Sequence, residues 1–119
     1  MKKLFVLLAA LLVISMAPAT KAQAQTANQC VSVSYTPPSW GSKGDTIFTN
    51  TCNQNITLVV SGVKGNVWFP SLIGPGANNS HDNGNGPFHY FACVSPKQPY
   101  DSVSTNNYPN YSSVGYICQ

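Results

Sequence analysis

The chain has 119 residues and a formal net charge of +3, and only 8% of its residues are charged, against about 25% in a typical globular domain. The positive excess comes from three lysines within residues 1–24, because the three later lysines are balanced by three aspartates. The later part has no arginine and no glutamate. This composition excludes the clustered basic surface that nucleic-acid binding requires, and it disfavours anionic membranes.

The first 24 residues have the three parts of a secretory signal peptide, with a bacterial character. Met1–Lys3 is basic, Leu4–Ile14 is an unbroken apolar run, and Ala22–Ala24 supplies the small residues of a cleavage site. The apolar run is shorter than the roughly 20 residues that span a bilayer, which argues against a retained membrane anchor. We therefore predict a signal peptide over 1–24 and a single secreted or periplasmic domain over 25–119.

Four cysteines lie in the predicted mature part, and an even number in an exported chain indicates disulfide bonds. No Cys-x-x-Cys pair is present to chelate a metal ion. Three pairings are possible, and the sequence favours Cys30 with Cys52 and Cys93 with Cys118, because each pair flanks one connection between strands. Closing loops of this length contributes about 3 kcal/mol each, a large share for a domain of this size.

The periodicity after the leader is that of an all-β domain. The predicted strands are Cys30–Tyr35, Thr46–Cys52, Ile56–Ser61, Val67–Phe69, Phe88–Val94 and Val114–Cys118. Pro70 is expected to end the fourth strand, and 71–87 reads mainly as turns with one short strand. About seven short strands separated by Gly, Pro and Asn predict a small antiparallel β-sandwich, Ig-like or similar, or a compact barrel.

The stretch Phe48–Cys52, followed by Ile56 and Leu58, resembles the first strands of thaumatin-like sandwiches. The resemblance covers a small part of the chain, and the many cysteines of that family are absent. It implies a sandwich, and we carry no function over from it.

The long connection 95–113 is the best candidate binding segment, because connections of that length in a compact domain are commonly functional. Tyrosines beside Asn and Ser offer flat apolar faces and neutral hydrogen-bonding groups. An alternative is that the tyrosines fold back over the core with their hydroxyls outward. The predicted ligand-binding residues are Trp40, Tyr100, Asp101, Asn107, Tyr108, Asn110 and Tyr111.

Residues for catalysis or metal binding are few. His81 and His89 are the only imidazoles, three aspartates are the only acids, and no Gly-x-Ser-x-Gly elbow is present. The segment 81–86 is poor in carboxylates and lacks EF-hand spacing, so we interpret it as a turn cluster rather than a calcium site.

These observations predict an exported, non-enzymatic binding domain that recognises a neutral glycan or a protein surface, with no cofactor and no metal. Two alternatives stay open: a small secreted hydrolase using His81 and His89 with an aspartate, and a structural envelope or extracellular component. On the binding hypothesis, Tyr108→Ala with Tyr111→Ala would abolish ligand retention without changing the melting temperature. A large loss of stability would instead place both rings in the core.

Overall fold

A computed structural model describes residues 26–119, so the predicted signal peptide over 1–24 lies outside the described residues. The described part is almost entirely β-structure, with two 3-10 turns at Asn28–Cys30 and Asn83–Asn85. The strands are β1 (Val31–Tyr35), β2 (Asp45–Asn50), β3 (Ile56–Gly62), β4 (Val67–Ile73), β5 (Asn78–Asp82), β6 (Phe88–Val94), β7 (Pro99–Asp101) and β8 (Tyr116–Cys118). Within this range, no helix has the length and apolar character needed to cross a bilayer.

The strands form three antiparallel sheets. The first sheet has the order β1-β2-β5, the second sheet has the order β4-β3-β6, and β7 pairs with β8. The antiparallel, disulfide-bonded β fold predicted from the sequence is confirmed. None of the three sheets of the described chain closes into a barrel, because β1 and β6 each pair on one side only.

The hydrophobic core lies between the first and second sheets. All seven residues of β3 are buried, and Ile56, Leu58 and Val60 share one face of it, as the alternation predicts. These side chains belong to one cluster with Phe48 of β2 and Ala92 of β6. Because both faces of β3 are buried, another part of the chain must cover the face that points away from the first sheet.

The C-terminal segment, residues 95–119, supplies that layer. Phe91 lies on the face of β6 opposite to the core, and its ring contacts that of Tyr116 with centroids 5.4 Å apart. Cys93, on the same face, is bonded to Cys118. The segment therefore covers the outer face of the second sheet, where Val59 is fully buried.

Both predicted disulfides are confirmed. Cys30 is bonded to Cys52 and thereby ties the start of β1 to the end of β2. The bond between Cys93 and Cys118 fixes β8 to β6. The sequence predicted both pairs correctly because each disulfide joins the two ends of one connecting stretch of the chain, 30–52 and 93–118.

The prediction that Pro70 ends the fourth strand is wrong, since β4 continues to Ile73. The register between β3 and β4 shifts between Leu58 and Val60, which leaves one additional residue on β4 at this point. Such a bulge leaves a residue outside the hydrogen-bonded ladder, and β4 is also an edge strand. Pro70 has no amide hydrogen to donate, and at a bulge on an edge strand the ladder does not require that hydrogen bond.

The polar segment 71–87 contains more strand than its turn-rich sequence indicates. Besides the end of β4 it holds all five residues of β5, which pairs along its length with β2. The long connection 95–113 likewise contains β7. Neither short strand has apolar alternation, so the pairing partner rather than the local sequence determines its extended form.

Candidate binding cleft

A cleft of about 440 Å³ lies between one edge of the first sheet and one edge of the second. Strands β1 and β2 form one wall, and β6 with the loop before it forms the other. No charged side chain lines it. The lining residues are Val33, Tyr35, Thr46, Phe48, Asn83, Gly86, Pro87, Phe88 and Tyr90.

Aromatic rings form the floor of the cleft. The buried Phe48 contacts Tyr90 with ring centroids 5.5 Å apart and Phe88 at 6.3 Å. Phe88 and Tyr90 reach the same side because alternate residues of a strand share a face. Tyr35 is 71% exposed at the rim. The floor is therefore apolar, whereas the rim is open to solvent.

The turn cluster over 81–86 shapes one end of the cleft. The side chain of Asp82 accepts a hydrogen bond from the Gly84 amide at 2.6 Å, which caps the short 3-10 turn. The Asn83 amide group donates to the Lys43 carbonyl at 3.3 Å, and its oxygen accepts from the Thr46 hydroxyl. These bonds use the polar side chains of this end to hold the turn cluster together.

The hydroxyls of Tyr35 and Tyr90 are the polar groups that a ligand can reach. Neither makes a hydrogen bond to any residue within 26–119, whereas Thr46 and Asn83 bond to each other. A tyrosine hydroxyl both donates and accepts. The cleft thus combines an apolar floor with neutral hydrogen-bonding groups.

His81 lies beside the cleft in a box of aromatic rings. Its imidazole centroid is 4.6 Å from Trp68 and 5.8 Å from both Phe48 and Phe88. Nε2 is buried without a hydrogen-bond partner among the described residues. Burial lowers the pKa of His81, so that a neutral ring is favoured at physiological pH.

His89 occupies the opposite face of the second sheet. Its ring stacks on that of Tyr111, with centroids 3.9 Å apart and planes inclined by 14°, whereas His81 packs on Phe88 at the inner face. The backbone of β6 therefore separates the two imidazoles. Among the described residues, no group of three His, Cys, Asp or Glu side chains is placed to hold a metal ion.

Three of the predicted binding tyrosines pack against other aromatic rings. Tyr100 and Tyr108 stack with centroids 5.4 Å apart. Tyr108 also contacts Phe69, with ring centroids 6.2 Å apart, and Phe69 is 77% exposed. Tyr111 is the ring that stacks on His89. These contacts match the alternative in which the tyrosines cover the domain, although Phe69 leaves an apolar face at their margin.

The predicted polar binding residues of the same segment stabilise its own turns. The Asp101 carboxylate accepts hydrogen bonds from the amides of Val103 and Ser104, at 2.8 and 3.1 Å, and from the Ser113 hydroxyl. These bonds lower the pKa of Asp101, the Ser113 bond most strongly. Asn107 donates from its amide group to the Ser104 hydroxyl at 2.9 Å.

Asn110 and Trp40 complete the predicted set. Asn110 accepts a hydrogen bond from the Ser112 amide at 2.9 Å, again within the segment. Trp40 lies in the connection between β1 and β2 and is fully exposed. It is in a different loop from the tyrosines, so the structure does not bring it together with them.

Sequence reasoning missed the cleft. Its aromatic residues, Phe48, Phe88 and Tyr90, have the sequence pattern of ordinary strand residues. Alternation puts each of them on an apolar face, and that was the only signal available. Their convergence depends on which strand edges face each other, which the sequence does not state.

The fold and cleft together define a small, disulfide-bonded antiparallel β protein whose described part contains an uncharged cleft. Comparison of the chain with known protein families, with curated proteins and with solved structures found no match.

Proposed function

We propose that this protein is an exported, non-enzymatic binding domain whose cleft takes an uncharged ligand. The observation that carries this proposal is the cleft itself: about 440 Å³, floored by aromatic rings and without a charged lining residue. Its volume lies within the range of roughly 300–1,000 Å³ typical of ligand sites, which are mostly apolar with a few polar groups. In this proposal, the first and second sheets are the two layers of a small sandwich, and the cleft is its open side.

Export is the setting that best accommodates the covalent structure. Two disulfides persist in oxidising compartments and are rare in reducing ones. The predicted leader over 1–24 would take the chain to such a compartment, either the periplasm or the medium. The ligand is then a neutral glycan or a protein surface met outside the cytoplasm.

A binding assay with two aromatic variants tests the proposal. Purified protein is passed over a panel of neutral polysaccharides and of immobilised extracellular proteins, and both retention and released product are measured. We expect Tyr35→Ala to weaken retention on the order of tenfold or more, since an aromatic residue at a cleft is a typical hot spot. Trp40→Ala is the matched control, because this exposed aromatic residue lies outside the cleft, and its retention should be unchanged.

Three outcomes would contradict the proposal. Equal losses in both variants would mean that exposed aromatic surface, rather than the cleft, is responsible. Released product would favour the hydrolase alternative, which must then explain how His81 and His89 cooperate from opposite faces of a sheet. Absence of retention on every member of the panel would favour a structural component.

A further inference from the structure

We propose that the ligand of the cleft is an extended polypeptide segment that pairs with the outer edge of β1. This inference rests on the proposed binding function and specifies its ligand. It begins from the backbone of the two strands that border the cleft rather than from their side chains. Both β1 and β6 are edge strands, and an edge strand presents a row of hydrogen-bonding groups to one side.

The outward groups of β1 belong to the residues that line the cleft. Thr36 donates its amide to the Asp45 carbonyl at 2.9 Å, so its backbone faces β2. Because the direction alternates along an antiparallel strand, Ser34 faces β2 as well, whereas Val33 and Tyr35 face away from it. No described strand pairs with that side of β1. The same two residues direct their side chains into the cleft.

One end of the β6 edge is already hydrogen-bonded to residues 26–28 of the described chain, where the chain enters the 3-10 turn at Asn28–Cys30. Ala92 accepts from the Ala27 amide and donates to the Asn28 side chain, both at 2.8 Å and both on the side away from β3. Alternation turns the amides of Tyr90 and Phe88 in the same direction, and neither amide bonds to a residue within 26–119 across this edge. The Tyr90 carbonyl accepts from the Asn28 amide group at 3.5 Å, so the part of this edge that carries no such bond lies around Phe88, at the cleft.

The side chains of the cleft set the chemistry of the segment. A strand that pairs with β1 would place every second side chain over Phe48, Phe88 and Tyr90, so these side chains must be apolar. Its other side chains would continue the exposed face of Ser32 and Ser34, where small polar groups fit. The lining carries no charge, so a charged side chain at an inward position would be desolvated without a partner.

A polypeptide fits this border better than a glycan. Donors and acceptors on an antiparallel edge recur every second residue, about 7 Å apart, and another extended backbone reproduces that spacing. Strand addition to a free edge is a recurrent mode of peptide recognition, in which backbone bonds provide affinity and alternate pockets provide selectivity. Sugar hydroxyls have no such repeat.

The test uses a proline at Val33. Val33→Pro removes an amide that faces away from β2, so the ladder within the first sheet is retained. Val33→Ala is the matched control, because it shortens the side chain and keeps the amide. The probe is a short synthetic peptide in which valine and serine alternate between terminal lysines. A second probe carries N-methyl groups on alternate amides, and cellohexaose serves as a neutral glycan.

We expect the unmodified peptide to bind the wild type best and Val33→Ala somewhat more weakly, because part of the apolar wall is lost. Val33→Pro should bind it on the order of tenfold more weakly than Val33→Ala, or not at all. The N-methylated peptide whose methyl groups face β1 should not bind. This second probe keeps the test decisive if Val33→Pro fails to fold. Melting curves of the two variants report on folding.

Other results overturn the inference and separate it from the proposed function. Equal binding of both peptides, or equal binding to Val33→Pro and Val33→Ala, excludes strand pairing. Binding of cellohexaose but not of peptide keeps the binding function and rejects a polypeptide ligand. A dimer in sedimentation that Val33→Pro dissociates would make a second copy the occupant. Failure of every probe and of the polysaccharide and protein panel would reject both proposals.

Discussion

The ring of Tyr111 stacks on the imidazole of His89, with centroids 3.9 Å apart. This contact joins the C-terminal segment to the outer face of the second sheet. Tyr108 makes a second aromatic contact there, with Phe69 on β4. The tyrosines of the long connection therefore contribute to packing whether or not they also meet a ligand.

Replacing both rings should lower stability. We expect Tyr108→Ala with Tyr111→Ala to reduce the free energy of unfolding by about 2–3 kcal/mol, since each half-buried ring loses apolar burial and an aromatic contact. Urea unfolding followed by circular dichroism measures this change. Trp40→Ala, at a fully exposed ring, should change it by less than about 0.5 kcal/mol. An unchanged melting temperature in the double variant would show that the tyrosine contacts add nothing to the fold.

The bond between Cys93 and Cys118 should hold the C-terminal segment in place. Replacing both cysteines with alanine removes a covalent loop of 25 residues in sequence separation, which costs about 3 kcal/mol. We also expect faster proteolysis within 95–119, because the segment is then held by noncovalent contacts alone, such as its aromatic contacts and the hydrogen bond from the Tyr116 hydroxyl to the Ala92 carbonyl. Mapping of the cleavage sites measures this. Cys30→Ala with Cys52→Ala is the control, since it should lower stability comparably without directing cleavage to 95–119.

His81 should make stability fall as the solution becomes acidic. Burial lowers its pKa from the ordinary value of 6.5, so below that pH the unfolded chain takes up a proton that the folded chain excludes. The contribution of His81 to the free energy of unfolding is therefore fully present above about pH 6.5. It declines as the pH falls from there toward the lower pKa that His81 has in the folded state. Denaturant titrations between about pH 7.5 and about pH 5 measure the slope, in a range above the ordinary pKa of Asp side chains.

A neutral replacement checks the assignment of that slope. His81→Leu has no titrating group at this position and should flatten the dependence on pH, whatever its effect on stability at neutral pH. Trp40→Ala, at a fully exposed ring outside the core, should keep the slope. An unaltered slope in His81→Leu would show that another group controls the acid sensitivity.

Much of the fold follows from local pattern. The apolar alternation of Ile56, Leu58 and Val60 predicted the central strand, because side chains in a strand alternate between faces. The four cysteines predicted both disulfides and their pairing. Local pattern failed at Pro70, where a bulge on an edge strand made a proline acceptable, and over β5, whose polar residues are extended because they pair with β2.

The candidate site was less predictable than the fold. The length and the tyrosines of the connection 95–113 predicted a binding segment. Its polar side chains instead form hydrogen bonds within the segment, such as that from the Ser113 hydroxyl to the Asp101 carboxylate. The cleft could not be predicted, because the sequence pattern around Phe48, Phe88 and Tyr90 is that of core residues. Whether an apolar strand residue is covered or lines a cavity depends on its neighbours in space.

The sequence by itself determined the β periodicity, the near-neutral surface of residues 25–119 and the cysteines that could pair. These properties depend on residue type and short-range spacing, which can be read along the chain. Tertiary structure alone decided that β1 and β6 would border the same cleft and that His81 and His89 would lie on opposite sides of a sheet. Strand order is set by the burial of apolar surface summed over the whole domain, so no single stretch of sequence contains it.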